Sequence, residues 1–392
     1  MMHRTFIRLV VCLALSSTMA AGAAPSVVVR FYPQRTLRTY EMDARRGLGD
    51  ALLQNAAIVN GSGGAVTLDR VEFDLIAGDA AVQTRRLGAA DLEKAAKKGA
   101  ALQQGGLLEQ YAFQFQPDLL LGKGVTLSPT ARLTPGTALL IGHRFFAFTG
   151  APEKLRLRAF GHFDDGTAIE AEGSLPIAVQ ASKVEYGFPL AGRWFIGADP
   201  AMHHHRRWVV PEEFALDIAR LGDSGATHRG DGSKLSEYHA YGQEVLAAAD
   251  GVVVSVEGSI PEAAAMLRQP GEAAEAYEKR MMEMQAGLLA KGYLHAAGNH
   301  VVIEHEGGEF SFYGHLLPGS LRVAKGDRVL RGQPIARLGN SGNSTEPHLH
   351  FQVTDGPDPI LSAGIPVRFV NIEIPLSDGT RAVQSGDVVE TR

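Results

Sequence analysis

Cysteine is almost missing from this chain. One cysteine, Cys12, occurs in 392 residues, inside an apolar N-terminal stretch. Val11 precedes it instead of a small residue, and it stands very early for a lipid-attachment site. The rest of the chain therefore has no disulfide framework and no thiolate metal cage. Any metal site has to be built from His, Asp and Glu. Long apolar runs are missing too. Beyond the first two dozen residues nothing approaches the ~18 consecutive apolar residues of a transmembrane helix. Excess positive charge is also absent. Lys and Arg number 38 against 43 Asp and Glu, a net charge of −5. With no broad basic stripe, a nucleic-acid partner is not expected.

What is present reads as an ordinary folded protein, 45% hydrophobic and 21% charged, long enough for two or three domains. The opening "MMHRTFIRLVVCLALSSTMAAGAAPS" has a basic start (His3, Arg4, Arg8), an apolar stretch from Leu9 to Leu15 and then small residues. That pattern predicts a signal peptide over 1–24, cleaved after Ala24, and an exported, periplasmic or extracellular protein.

Residues 25–190 read as a β-rich, sandwich-like accessory domain. "VVVRFY", "NAAIVNGSGGAVTLDRVEFDLIAG", "QYAFQFQPDL", "TALLIGHRFFAFTG", "KLRLRAFGHF" and "SLPIAVQ" are short alternating segments divided by Gly, Pro, Asn and Asp, the pattern of strands and turns. "AADLEKAAKKGAALQQ" interrupts them and predicts a helix. His143 and His162 are isolated and suggest no chemistry. Residues 191–375 read as a second, antiparallel β-sheet domain, with 376–392 as a tail. A helical insertion covers about 259–292. Within it Ala274, Tyr277, Met281, Met284 and Leu288 recur at helical spacing, and Gly292 stops the run. The chain is thus mainly β, with one inserted helical segment that either packs on the domain or covers a cleft.

Histidine is concentrated in this second half: 11 of the 14 fall between His203 and His350. "STEPHLHFQV" alternates, so Leu349, Phe351 and Val353 share one strand face and His348, His350 and Gln352 the other. Two imidazoles side by side are either a polar strand face or a pair of nitrogen donors. In "EEFALDIARL", Phe214, Leu216 and Ile218 would point inward and Asp217 the other way. A hydrolytic zinc site needs three protein ligands and one open position. The candidates are His203, His204, His205, Asp217, His315 in "SFYGHL", His348 and His350.

The blocks "FALDI", "YGQEVLAAADGVV", "GNHVVIEH", "YGHL" and "KGDRVLRGQPIARLGNSGNSTEPHLHF" resemble, in this order, the LytM-like M23 family of zinc metallopeptidases, over about residues 195–355. The resemblance implies a lysostaphin-type peptidase domain that cuts peptide crosslinks in bacterial peptidoglycan with one Zn2+ per chain. Carried over residue by residue, it implies His205, Asp217 and His350 as metal ligands, and His315 and His348 as catalytic residues. The family spaces its first histidine and its aspartate about four residues apart. Here His205 and Asp217 are twelve apart, which reads as an inserted loop. His204 and then His203 follow as alternatives for the first ligand. His228 and Asp231 in "THRGD" form a competing pair. His239, His295, His300 and His305 read as structural or surface residues, and Tyr313 as a groove residue sharing a strand face with His315.

Two other functions compete. "VLAAADGVVVSVEG" and "GDRVLRGQPIARLG" resemble the halves of a biotinyl or lipoyl carrier, but no lysine stands at an obvious hairpin tip between them. The alternative is a catalytically degenerate relative that binds cell wall or regulates a partner hydrolase. Such a protein would be expected to have lost ligands, whereas Asp217, His315, His348 and His350 are all present.

Overall fold

The computed structural model describes residues 26–178, 182–198, 205–359, 361–375, 377 and 382–392. The expected signal peptide, Cys12, His203 and His204 lie outside these residues. Among the described residues no helix is long and apolar enough to cross a membrane.

The protein is mainly β. In the N-terminal part, ten strands between Val27 and Ala178 join into one sheet. The long strand Leu48–Asn60 pairs with Val27–Tyr32, Leu37–Asp43 and Thr137–Thr149. Its apolar side chains meet Phe73, Leu75, Phe146 and Leu157 in a core from which water is excluded. The helix Ala89–Gln104 forms as expected. Leu92, Ala96, Gly99 and Ala100 are its buried residues, spaced to lie on one face. The Asp91 carboxylate accepts the Gly88 amide at its start, and Gly105 follows its end.

"QYAFQFQPDL" is not a strand. It forms three single helical turns, Leu107–Gln110, Ala112–Phe115 and Pro117–Leu120. Pro117 cannot donate to a ladder but suits a first helical position, so the alternation of Tyr111, Phe113 and Phe115 was misleading. The strand Ala80–Gly88 gave no signal because it is an edge strand, paired on one side and exposed along most of its length.

In the C-terminal part nine strands form an antiparallel sheet. The strand Leu349–Thr354 lies inside it, between Phe310–Gly314 and Leu216–Ala219. Leu349, Phe351 and Val353 are buried with Ile196, Leu216, Ile218, Val301, Ile303 and Tyr313. Each such side chain contributes roughly 1.5–3 kcal/mol of burial, which pins the register. A one-residue slip would send all of them to the other face. The expected tail, residues 376–392, contains a strand among its described residues. Val388–Thr391 is a strand paired with Arg193–Ala198, and Val389 is fully buried.

The insertion joins two paired neighbours, Gly251–Glu257 and His300–Glu304. It carries the 16-residue helix Ala274–Leu289, of which Met281 is the buried residue, and the short helix Tyr293–Ala297.

Candidate metal and catalytic site

Three adjacent strands deliver the site. Asp217 pairs directly with His350 across the ladder, and Gly314 pairs with His350 from the other side. Position 314 must be small, because a Cβ there would lie 2.9 Å from the Phe312 ring and 3.3 Å from His350 Cβ. The next residue, His315, has φ of 60°, a conformation uncommon outside glycine. That turn breaks the alternation. Tyr313 points into the core, where its hydroxyl accepts the Ala248 amide at 2.7 Å, while His315 comes to lie beside His348 and His350. The expectation that Tyr313 lines a groove with His315 is therefore wrong: Tyr313 is fully buried against Phe351.

The geometry is close. Asp217 Oδ1 lies 3.2 Å from His350 Nδ1 and 3.4 Å from His348 Nε2. The His315 ring centroid is 4.7 Å from that of His348 and 5.9 Å from that of His350. Asp217 and His348 are partly open, with side-chain exposures of 19% and 12%, while His350 and His315 are buried. Access is therefore from the Asp217–His348 side.

The protonation of each ring is set by its outer partner. His315 Nδ1 lies 2.8 Å from the Ser341 carbonyl, and His348 Nδ1 lies 2.8 Å from the Glu346 carbonyl. A carbonyl only accepts, so each Nδ1 donates and each Nε2 keeps its lone pair. His350 Nε2 lies 2.8 Å from Gln352 Oε1 and donates to it. Its Nδ1 then faces Asp217 with a lone pair. A lone pair 3.2 Å from a carboxylate oxygen is an arrangement that a cation bound to both would stabilise. This donor set, a carboxylate with imidazole nitrogens that keep a lone pair, fits a divalent metal such as zinc. Burial, together with the neighbouring His348 and His350, pushes His315 well below the ordinary imidazole range, so it is neutral at pH 7.

Among the described residues no group of three His, Cys, Asp or Glu side chains encloses an ion on its own. Two of the three expected ligands, Asp217 and His350, are brought together. The third is expected from the His203–His205 run. His205 opens the short 3-10 helix His205–Trp208, and the rest of that run lies outside the described residues. The competing pair His228 and Asp231 takes other roles. His228 pairs with Tyr238 and its ring lies 5.2 Å from the Tyr238 ring. Asp231 accepts the Ser233 amide at 3.0 Å.

Several supporting residues were not assigned roles from sequence. Gln352 orients His350, and only its place on the same strand face hinted at this. The loop "GNSGNSTEP" is held by its own side chains. Asn340 donates to the Ser344 carbonyl, Ser344 Oγ donates to Asn340 Oδ1, and the Ser341 hydroxyl accepts the Asn299 amide. A Cβ at Gly342 would lie 2.4 Å from the Ala296 carbonyl, so the loop packs tightly on the insertion. His300 stacks on Phe312, which in turn meets His350 edge-on, so His300 buttresses the site from behind. From the insertion, Tyr277 lies near the Thr345 side chain, which places the long helix beside the loop that delivers His348.

Comparison with known proteins gives one family match and several relatives. Residues 272–361 match the model of Peptidase family M23, a span that includes His315, His348 and His350 but not Asp217. Peptidoglycan DD-endopeptidase ShyA of Vibrio cholerae serotype O1 is 33% identical over 96 residues, covering 24% of this chain and 20% of that protein. Peptidoglycan DD-endopeptidase ShyB of the same organism is 42% identical over 73 residues, covering 18% and 17%. Murein hydrolase activator EnvC of Escherichia coli is 41% identical over 66 residues, covering 17% and 15%. The chain thus spans about a fifth or less of the length of these relatives.

Proposed function

We propose, on the premise that residues 272–361 form a domain of peptidase family M23, that this chain is an exported zinc endopeptidase hydrolysing peptide crosslinks in bacterial peptidoglycan. The observation that carries the reading is the pairing of Asp217 Oδ1 with His350 Nδ1 at 3.2 Å, with the other ring nitrogen of His350 committed to Gln352. Asp217, His350 and a histidine of the His203–His205 run, His205 first, would hold the metal. When bound, zinc supplies a Lewis acid for the scissile carbonyl and lowers the pKa of a coordinated water toward ~7.

The chain's own residues do the rest. His348, with Nδ1 donating to the Glu346 carbonyl, keeps the lone pair of Nε2, which lies 3.4 Å from Asp217 Oδ1. It is placed to take a proton there and return it to the leaving amine. His315, neutral and buried, lies against His348 on the inner side. It orients that ring and, with its proton held on Nδ1 by the Ser341 carbonyl, is kept in one tautomer. The names of the two DD-endopeptidase relatives support a peptidoglycan peptide as substrate. EnvC is named an activator of hydrolases, and the regulatory alternative follows from it. The complete set Asp217, His315, His348 and His350 supports an enzyme instead.

The test is digestion of purified peptidoglycan by the wild-type protein and by His350→Ala, with metal content measured and product masses recorded. The proposal expects about one zinc per wild-type chain and released crosslink peptides, both lost in the variant. A wild-type protein that binds no zinc and releases nothing would favour the regulatory alternative.

A further inference from the structure

The twelve-residue spacing between His205 and Asp217 is occupied by a segment that docks on the N-terminal sheet. His205–Trp208 and Val210–Glu212 are single 3-10 turns, too short to hold their own shape. What holds them is a socket around Arg207, whose side chain is 1% exposed. Its guanidinium pairs with Asp50 of the strand Leu48–Asn60 and, at 3.0 Å, with Glu213. Gln54, two turns of the pleat along the same strand, donates to Glu213 Oε2 at 2.7 Å and to the Arg207 carbonyl at 3.3 Å. The rings of Tyr40, Phe145 and Phe214 surround the cation at 5.8, 5.9 and 5.8 Å. The next residue, Trp208, stacks on His143 at 5.1 Å. Val210 is buried among Tyr32, Leu120, Leu121 and Leu140.

Asp50, Gln54, Tyr40, Phe145 and His143 all belong to the N-terminal sheet. Arg207 and Glu213 bracket residues 208–212, just before Asp217. We propose that Arg207 is a positioning residue through which the N-terminal domain holds the metal-binding segment 205–217 in place. The inference rests on the zinc peptidase reading above. A buried cation with two buried carboxylates has few alternative placements, because a displaced member would leave a desolvated charge unpaired. The socket therefore sets where residues 205–213 can lie, and so where Asp217 enters the sheet. On this view the accessory domain is part of the site's construction.

The experiment uses the full chain in four forms: wild type, Asp50→Asn, Arg207→Lys and Arg38→Met. Arg38 reaches Asp355 at 3.3 Å across the same two domains, a pair outside the segment 205–217, so its loss loosens the domain contact at a place other than the socket. Zinc affinity is measured by competition with a chelator, thermal unfolding is followed separately, and activity is read at low and high zinc. The expected result is zinc affinity at least tenfold weaker in Asp50→Asn and Arg207→Lys at a temperature where both are folded. Activity should recover as zinc is raised, and Arg38→Met should bind zinc as the wild type does. Wild-type zinc affinity in both socket variants would overturn the proposal. So would equal weakening by Arg38→Met, or variants unfolded at the assay temperature, which would make the socket a matter of global stability. Absence of zinc from the wild type would instead defeat the peptidase reading itself.

Discussion

Asp217 and His350 face each other across an antiparallel ladder, and the lone pair of the His350 Nδ1 points at the carboxylate 3.2 Å away. In this tautomer a cation bound between the two acceptors would stabilise the pair. Asp217→Asn removes the negative charge and halves the acceptor capacity while keeping the shape. Zinc affinity should fall by more than the roughly 100-fold typical of losing an outer partner, with the unfolding transition little changed. Chelator competition and thermal unfolding of the same sample check both halves.

Gln352 decides which nitrogen of His350 carries the proton. Gln352→Leu fills a similar volume on the buried strand face but removes the acceptor. His350 can then protonate Nδ1 and donate to Asp217. Metal affinity should drop by roughly 10–100-fold, measured by chelator competition, with the residual enzyme cutting the same bond.

His348 is expected to move protons without binding the metal. His348→Ala should lower kcat by roughly 10²–10⁴-fold and leave about one zinc per chain. Loss of zinc together with activity would reassign His348 as a ligand. Metal analysis of the purified variant separates the two outcomes.

His143, stacked on Trp208, makes stability depend on pH. Burial first, then the nearby Lys98 and Arg144, lowers its pKa to about 4, against 6.5 for the free side chain. The folded state therefore binds its proton less readily than the unfolded chain. The stability associated with neutral His143 is full above pH 6.5 and is lost as pH falls toward 4, by at most about 3 kcal/mol. His143 has φ of 47°, a conformation asparagine tolerates. Denaturant unfolding of His143→Asn should show a smaller loss of stability between pH 7 and pH 4 than the wild type.

Much of this molecule was legible in its residues. The alternation of Leu349, Phe351 and Val353 against His348, His350 and Gln352 placed the imidazoles opposite the core, because strand side chains obey a period of two wherever one face is buried. The helix Ala89–Gln104 was legible from its apolar spacing. Misreadings occurred where the period was not the deciding force. Pro117 and the Gly105–Gly106 pair turned an alternating run into helical turns, and the left-handed turn at His315 reversed the faces of Tyr313 and His315.

Composition and local pattern determined which donor types were available, that cysteine was not one of them, and which residues shared a strand face. Only the tertiary structure decided which strands became neighbours, which nitrogen of each imidazole met a carbonyl or amide, and what held the segment before Asp217. Those outcomes depend on contacts between residues far apart in the chain: Asp217 with His350, Ser341 with His315, Asp50 with Arg207. Such pairings are selected by the burial and charge balance of the whole fold, which no local period encodes.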